Sequence, residues 1–142
     1  MNSKRGITLT SLVIYIVLFT SFTVFVSITS TNMNSRLFND RGEAINYSNL
    51  NKLQQNIENS STESSDVVLT AGGLVYSNGD KYVYDSSSKV LYKNNGVLCL
   101  NVDEFLPLVE EMDGIKKVTI QVTFNKYLNV VTRKIINCVE VM

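Results

Sequence analysis

Residues 4–28 read KRGITLTSLVIYIVLFTSFTVFVSI. After Lys4 and Arg5, no charged residue occurs until Arg36. Each strongly apolar side chain in this run favours a bilayer by roughly 0.3–0.6 kcal/mol, and about 20 such residues suffice to cross the hydrocarbon. The interspersed serines and threonines can donate hydrogen bonds to carbonyls one turn earlier, which lowers their cost in lipid. The stretch therefore predicts a membrane-spanning helix over residues 7–30.

The charges beside this helix predict its orientation. Lys4 and Arg5 are the only charged residues that precede the apolar run. Positive residues beside a membrane helix stay on the cytoplasmic side. We therefore expect a single-pass protein of the cytoplasmic membrane, with its N-terminus in the cytoplasm and the remainder outside.

A basic start followed by an apolar run has several interpretations. A secretory signal peptide would end at a small-x-small cleavage site, for which the best candidate is Ser27-Ile28-Thr29. An unprocessed signal anchor would keep Lys4 and Arg5. The third interpretation depends on the residues that follow Gly6.

The segment Lys4-Arg5-Gly6-Ile7-Thr8-Leu9-Thr10-Ser11-Leu12 resembles the prepilin motif of type IV pilins and type II secretion pseudopilins. The matching positions are Lys4, Arg5, Gly6, Ile7, Thr8, Leu9 and Leu12. The resemblance implies that residues 1–6 form a leader, which a prepilin peptidase removes after Gly6 before methylating the new amine of Ile7. It also implies other pilins or pseudopilins and an assembly platform as partners.

Ser11 departs from this motif, because the family usually has glutamate at that position. Thr10 likewise replaces an aliphatic residue. In the family the glutamate pairs with the N-terminal ammonium of a neighbouring subunit, and a buried charge is tolerable only when it is paired. Ser11 offers no charge, so we expect a low-copy subunit and not a repeated one.

The chain beyond the membrane segment predicts a helix and then strands. Leu50, Leu53 and Ile57 occupy one helix face, so we expect the helix to continue over residues 31–60. Gly42 interrupts that pattern and costs about 1 kcal/mol relative to alanine, which predicts a bend or break. The polar run Asn59–Asp66 predicts a loop.

Residues 61–142 alternate between strand and turn signals and predict an extracytoplasmic antiparallel sheet. Asp85-Ser86-Ser87-Ser88 separates two strand candidates as in a hairpin, and residues 118–124 alternate apolar and polar side chains. Asp103–Pro107 predicts a connection, and Glu110, Glu111 and Asp113 predict a solvated loop or turn. The fold class is therefore α+β, a long N-terminal helix packed on an antiparallel β-sheet, as in pilins.

Composition argues against catalysis and against metal binding. Histidine is absent, which removes the commonest general base and metal ligand. Lys and Arg number 13 against 13 Asp and Glu, so no net charge favours nucleic acid. No cofactor or small-molecule substrate is indicated.

The cysteines and tyrosines have structural interpretations. Cys99 and Cys138 would face an oxidising exterior, where they form either a disulfide or two small buried thiols. Tyr82 and Tyr84 favour packing within a sheet over a ligand surface.

These observations predict a minor pilin or pseudopilin of a pilus, competence or secretion filament, exposed at the cell surface once assembled. It would act by assembly and not as an enzyme. The alternative is an unprocessed, signal-anchored binding module that does not polymerise. An anchored hydrolase would require a cleft holding close carboxylates.

Overall fold

The computed structural model describes residues 3–142, and it describes side chains from Thr8 onward. The side chains of Lys4, Arg5 and Ile7 and the surroundings of Gly6, on which the predicted roles of these residues depend, lie outside what the structure describes. Met1 and Asn2 lie outside it entirely. The chain divides into two compact units, residues 1–38 and residues 39–142. One helix, α1 (Ser3–Thr62), belongs to both.

The part of α1 that lies in the first unit is apolar and exposed. Every described side chain from Thr8 to Phe38 is exposed. Its most apolar 18-residue window has a mean hydropathy of 2.3, so the helix is long and apolar enough to span a membrane. The prediction of an apolar helix at this end of the chain is confirmed.

The second unit contains two antiparallel sheets. The first has five strands in chain order: β1 (Val67–Thr70), β2 (Gly73–Tyr76), β3 (Lys81–Asp85), β4 (Val90–Lys93) and β5 (Gly96–Cys99). The second has three longer strands, also in chain order: β6 (Val102–Met112), β7 (Ile115–Lys126) and β8 (Asn129–Glu140). The α+β class is confirmed, with two sheets where we expected one.

Two-residue turns set the register of three hairpins. Asn94-Asn95, Asp113-Gly114 and Tyr127-Leu128 all have positive φ, between 51° and 79°. Two successive positive φ values define the type I′ turn, whose twist matches that of the flanking strands. Asparagine, aspartate and glycine adopt this conformation readily, whereas Tyr127 and Leu128 do so at a cost in strain.

The core lies between α1 and the two sheets. The predicted helix face is confirmed, because Leu53 and Ile57 are fully buried and Leu50 is nearly so. The fully buried strand residues come from both sheets and are Leu74, Tyr82, Leu91, Val102, Val118, Ile120, Val122 and Phe124. A single core therefore joins the helix to both sheets.

The helix continues through Gly42 without a break. Gly42 is buried beside the β7–β8 turn, and a Cβ atom there would lie 2.6 Å from the carbonyl oxygen of Lys126. One turn later, Asn46 Nδ2 donates to the carbonyl of Asn129 at 2.8 Å, and Asn129 Nδ2 donates to the carbonyl of Asn39 at 2.6 Å. Gly42 therefore provides space for a turn to approach the helix.

Strand β6 corrects the predicted connection around Pro107. Residues 102–112 pair with β7, and Pro107 faces Ile120. The two-residue turn after Met112 makes Met112–Ile115 a hydrogen-bonded pair. Alternation along the ladder then makes Pro107–Ile120 a non-hydrogen-bonded pair, in which residue 107 would direct its N–H away from β7. Proline is tolerated because that N–H is not part of the ladder.

The acidic residues after Pro107 also differ from expectation. Glu110 and Glu111 are exposed strand residues opposite Lys117 and Lys116, and only Asp113 lies in the predicted turn. Opposite charges across a strand pair, as at Glu110 and Lys117, stabilise it modestly, whereas the ammonium of Lys116 pairs with Asp66. Charge alone made this strand end resemble a loop.

Candidate functional site

The exposed apolar surface of α1 is the first candidate site. Large apolar side chains lie all round the helix, and each is about half exposed or more; they include Leu9, Leu12, Ile14, Phe19, Phe22, Phe25 and Ile28. A helix that is apolar on every side is suited to lipid or to a bundle of other helices. Nothing among the described residues covers it.

Several hydroxyls on this helix bond internally, as predicted. Ser21 Oγ donates to the carbonyl of Val17 at 2.8 Å, Thr23 Oγ1 to that of Phe19 at 2.8 Å, and Ser27 Oγ to that of Thr23 at 2.9 Å. The series continues through Thr29, Thr31 and Ser35. Because these donors are satisfied within the helix, they need no partner in lipid.

The motif residues lie at the start of this surface. Thr8, Leu9, Ser11 and Leu12 are exposed helix residues. No carboxylate lies on α1 between Thr8 and Asp40. This apolar part of the helix therefore carries no acidic group that could pair with an amine.

The cysteines adopt neither of the two arrangements that the sequence left open, a disulfide or two buried thiols. Both are free thiols, with Cys99 buried and Cys138 exposed. Cys99 ends β5, and burial raises its pKa to about 11. Cys138 lies in the other sheet, on the opposite face of β8 from buried Ile135 and Val139. The two side chains therefore point to different sides of the second unit.

Tyr82 and Tyr84 pack within the second unit, as predicted, and Tyr76 packs with them. The rings of Tyr76 and Tyr82 meet edge to face with centroids 5.9 Å apart, and burial raises the pKa of each to about 12. Tyr84 packs against Phe105, and its hydroxyl lies 2.9 Å from the carbonyl oxygens of Val102 and Asp103. These rings are structural.

A polar cluster at the C-terminal end of α1 was not predicted. Ser60 is fully buried, and its hydroxyl donates to Asp80 Oδ2 at 2.6 Å and lies 2.7 Å from the hydroxyl of Tyr82. Asp80 also accepts from Asn94 Nδ2 at 2.9 Å and from Lys93 Nζ at 3.0 Å. These hydrogen bonds hold the last turn of the helix against the first sheet. It also explains why the predicted loop begins after Thr62 and not at Asn59.

The charge of Asp80 is stabilised by these donors. Burial opposes its ionisation, but hydrogen bonds from Ser60, Asn94, Lys93 and Asn78 outweigh burial and lower its pKa to about 2. A carboxylate with this surplus of donors is a structural anchor. It is not a proton donor or acceptor near neutral pH.

Acid should therefore weaken the second unit through Asp80. Because the pKa of Asp80 is lower in the folded than in the unfolded chain, its ionised form stabilises the fold. This contribution is complete above the unfolded pKa near 4 and is lost as the pH falls towards 2. We expect the free-energy difference between wild type and Asp80→Asn to shrink by about 2 kcal/mol over that range. Urea unfolding at several pH values, followed by circular dichroism of the tyrosines, measures it. A difference that does not change with pH would contradict this role.

Groups that could support metal chemistry do not come together. Within residues 3–142, no three acidic or cysteine side chains are placed to hold a metal ion. Comparison of the chain with protein families, curated proteins and solved structures gave no match.

Proposed function

We propose that the chain is a minor pilin or pseudopilin of a type IV pilus, competence or secretion filament. One observation supports this most: α1 is a single helix whose first part is apolar and exposed and whose last part belongs to the core of a small sheet domain. A helix that served only as an anchor would not need to continue into the domain core. A subunit handed from a membrane to a filament does need that continuity.

The helix acts first as a membrane anchor and then as a packing element. In the bilayer, its apolar side chains contact lipid. In the filament, the same surface packs against neighbouring helices, whose contacts replace those lost with lipid. Small hydroxyl residues such as Ser21 and Ser27 let helices approach closely, and they carry no unsatisfied donor into the new environment.

The subunit occupies few positions in the filament. Ser11 supplies no carboxylate for the amine of a neighbour, so the chain cannot recruit successive copies of itself by that ion pair. An initiator or tip position requires no such recruitment. Lys4 and Arg5 hold the leader in the cytoplasm until a prepilin peptidase removes it.

Processing tests the proposal directly. The mature protein should begin at Ile7, because Gly6 has no side chain to obstruct a peptidase at the membrane face. Gly6→Leu should leave the leader attached in essentially all molecules, whereas Gly6→Ala, the matched small variant, should still be cut. Mass spectrometry of the membrane-extracted chain gives the N-terminus in each case.

Two other outcomes would overturn the proposal. A mature start near Ser30 would make residues 1–29 a secretory signal peptide. A wild-type chain that retains Lys4 and Arg5 in cells that process their own pilins would instead be a signal-anchored binding module.

A further inference from the structure

The four sheet edges of the second unit differ in how well they are protected from pairing with another chain. The outer strands of the first sheet, β1 and β5, have only four residues each. Strand β6 has 11 residues, but Pro107 lies on its outer edge. Strand β8 has 12 residues and no proline. Short strands and edge prolines protect against pairing, so β8 is the least protected edge.

The backbone of β8 directs alternate residues outward. The two-residue turn Tyr127-Leu128 makes Lys126–Asn129 a hydrogen-bonded pair. Alternation then directs the backbone N–H and C=O groups of the odd-numbered residues of β8 towards β7 and those of the even-numbered residues away from it. In the described part of the chain, no bond from outside the β7–β8 ladder reaches the backbone of Lys134, Ile136 or Cys138.

The side chains of these outward residues are also exposed. Ile136 is 56% exposed, and Lys134, Cys138 and Glu140 are exposed with it. They form a segment in which a lysine and a glutamate flank an isoleucine and a cysteine. In a copy of the segment that runs antiparallel, the glutamate comes where the first copy has its lysine.

We propose that a second copy of this chain pairs antiparallel with β8, with Lys134 of each copy opposite Glu140 of the other. This register also places Ile136 opposite Cys138 and puts the two-fold axis at Asn137. Opposite charges across a strand pair are favourable. A shift of the register by two residues in either direction places Lys134 opposite Cys138 or Met142, and both ion pairs are lost. The two three-stranded sheets then become one sheet of six strands.

Cross-linking tests the register. Full-length Ile136→Cys, Cys138→Ser and the wild-type chain, carrying different tags, are co-expressed and oxidised mildly in membranes. The new thiol should face Cys138 of the other copy within disulfide range, whereas identical thiols lie diagonally and too far apart. We expect a tagged heterodimer in at least about fivefold excess over either chain alone.

Val130→Cys, Cys138→Ser is the matched control. Val130 is 59% exposed and lies on the same face of the same strand, but outside the proposed overlap. It should give no such excess. Equal yields from the two positions would overturn the register.

Charge exchange provides an independent test. Lys134→Glu creates two like-charge pairs and should weaken the dimer in detergent by about tenfold, measured by sedimentation. Adding Glu140→Lys should restore wild-type affinity, because the pairs are reformed with their signs exchanged.

Three outcomes would overturn the proposal. A wild-type chain that is monomeric would do so, as would a dimer insensitive to both charge changes, which would place the contact elsewhere. A cross-link from position 136 to a different protein would assign the edge to another partner. None of these results bears on processing at Gly6, so the proposed function is tested separately.

Discussion

Gly73→Ala is expected to destabilise the second unit by about 3 kcal/mol or more. A Cβ atom on Gly73 would lie 1.8 Å from the carbonyl oxygen of Tyr82 and 2.8 Å from its carbonyl carbon. These are backbone atoms of the paired strand, so no side chain can rotate away to relieve the overlap. Tyr82 cannot shift easily either, because its ring is fully buried and its hydroxyl is bonded to Ser60.

Gly72→Ala is the matched control for this substitution. The nearest atom to a Cβ there is Cγ1 of Val83 at 3.8 Å, an ordinary contact. Its effect should remain within about 1 kcal/mol of wild type. Urea unfolding of the full chain in detergent, followed by circular dichroism of the tyrosines, compares the two variants. Similar losses in both would show that β2 and β3 do not pack this closely.

Leu53→Ala is expected to cost about 2–5 kcal/mol of unfolding free energy. Leu53 is fully buried on the face of α1 that packs on the core, between Leu50 and Ile57. Removing its isobutyl group leaves a cavity that the helix cannot close, because contacts on both sides of Leu53 hold it in place. Those fixed points are the Asn46–Asn129 contact and the Ser60–Asp80 contact.

Gln54→Ala is the control at the neighbouring position. Gln54 is exposed on the same helical turn, and exposed substitutions usually change stability by less than about 0.5 kcal/mol. The same unfolding measurement applies to both variants. A loss from Leu53→Ala as small as that of the control would mean that α1 contributes little to the core.

Local signals in the sequence predicted much of the fold. The helix face through Leu53 follows from 3.6-residue periodicity, and the β3–β4 hairpin follows from the polar run between two apolar segments. The strand of residues 118–124 follows from strict alternation, and it extends beyond both predicted ends. Each of these patterns reports burial on one face of one element.

The remaining features depend on distant partners. Strand β6 was missed because Pro107 normally interrupts strands, and only its place on an outer edge makes it acceptable. Ser60 resembled a loop residue because its role depends on Asp80, 20 positions away. Gly42 indicated a break because its neighbour, the Lys126 carbonyl, is supplied by a turn far along the chain.

Pro107 also limits how far sheets of this kind can extend. A sheet with two open edges can add strands indefinitely from both sides, which is how fibrillar aggregates grow. Here one edge carries a residue that cannot donate to an incoming strand. Two-fold pairing through β8 would occupy the other edge in both copies at once. Growth by strand addition through these two edges would then stop at two chains, and Pro107→Ala would restore a backbone donor at the outer edge of β6.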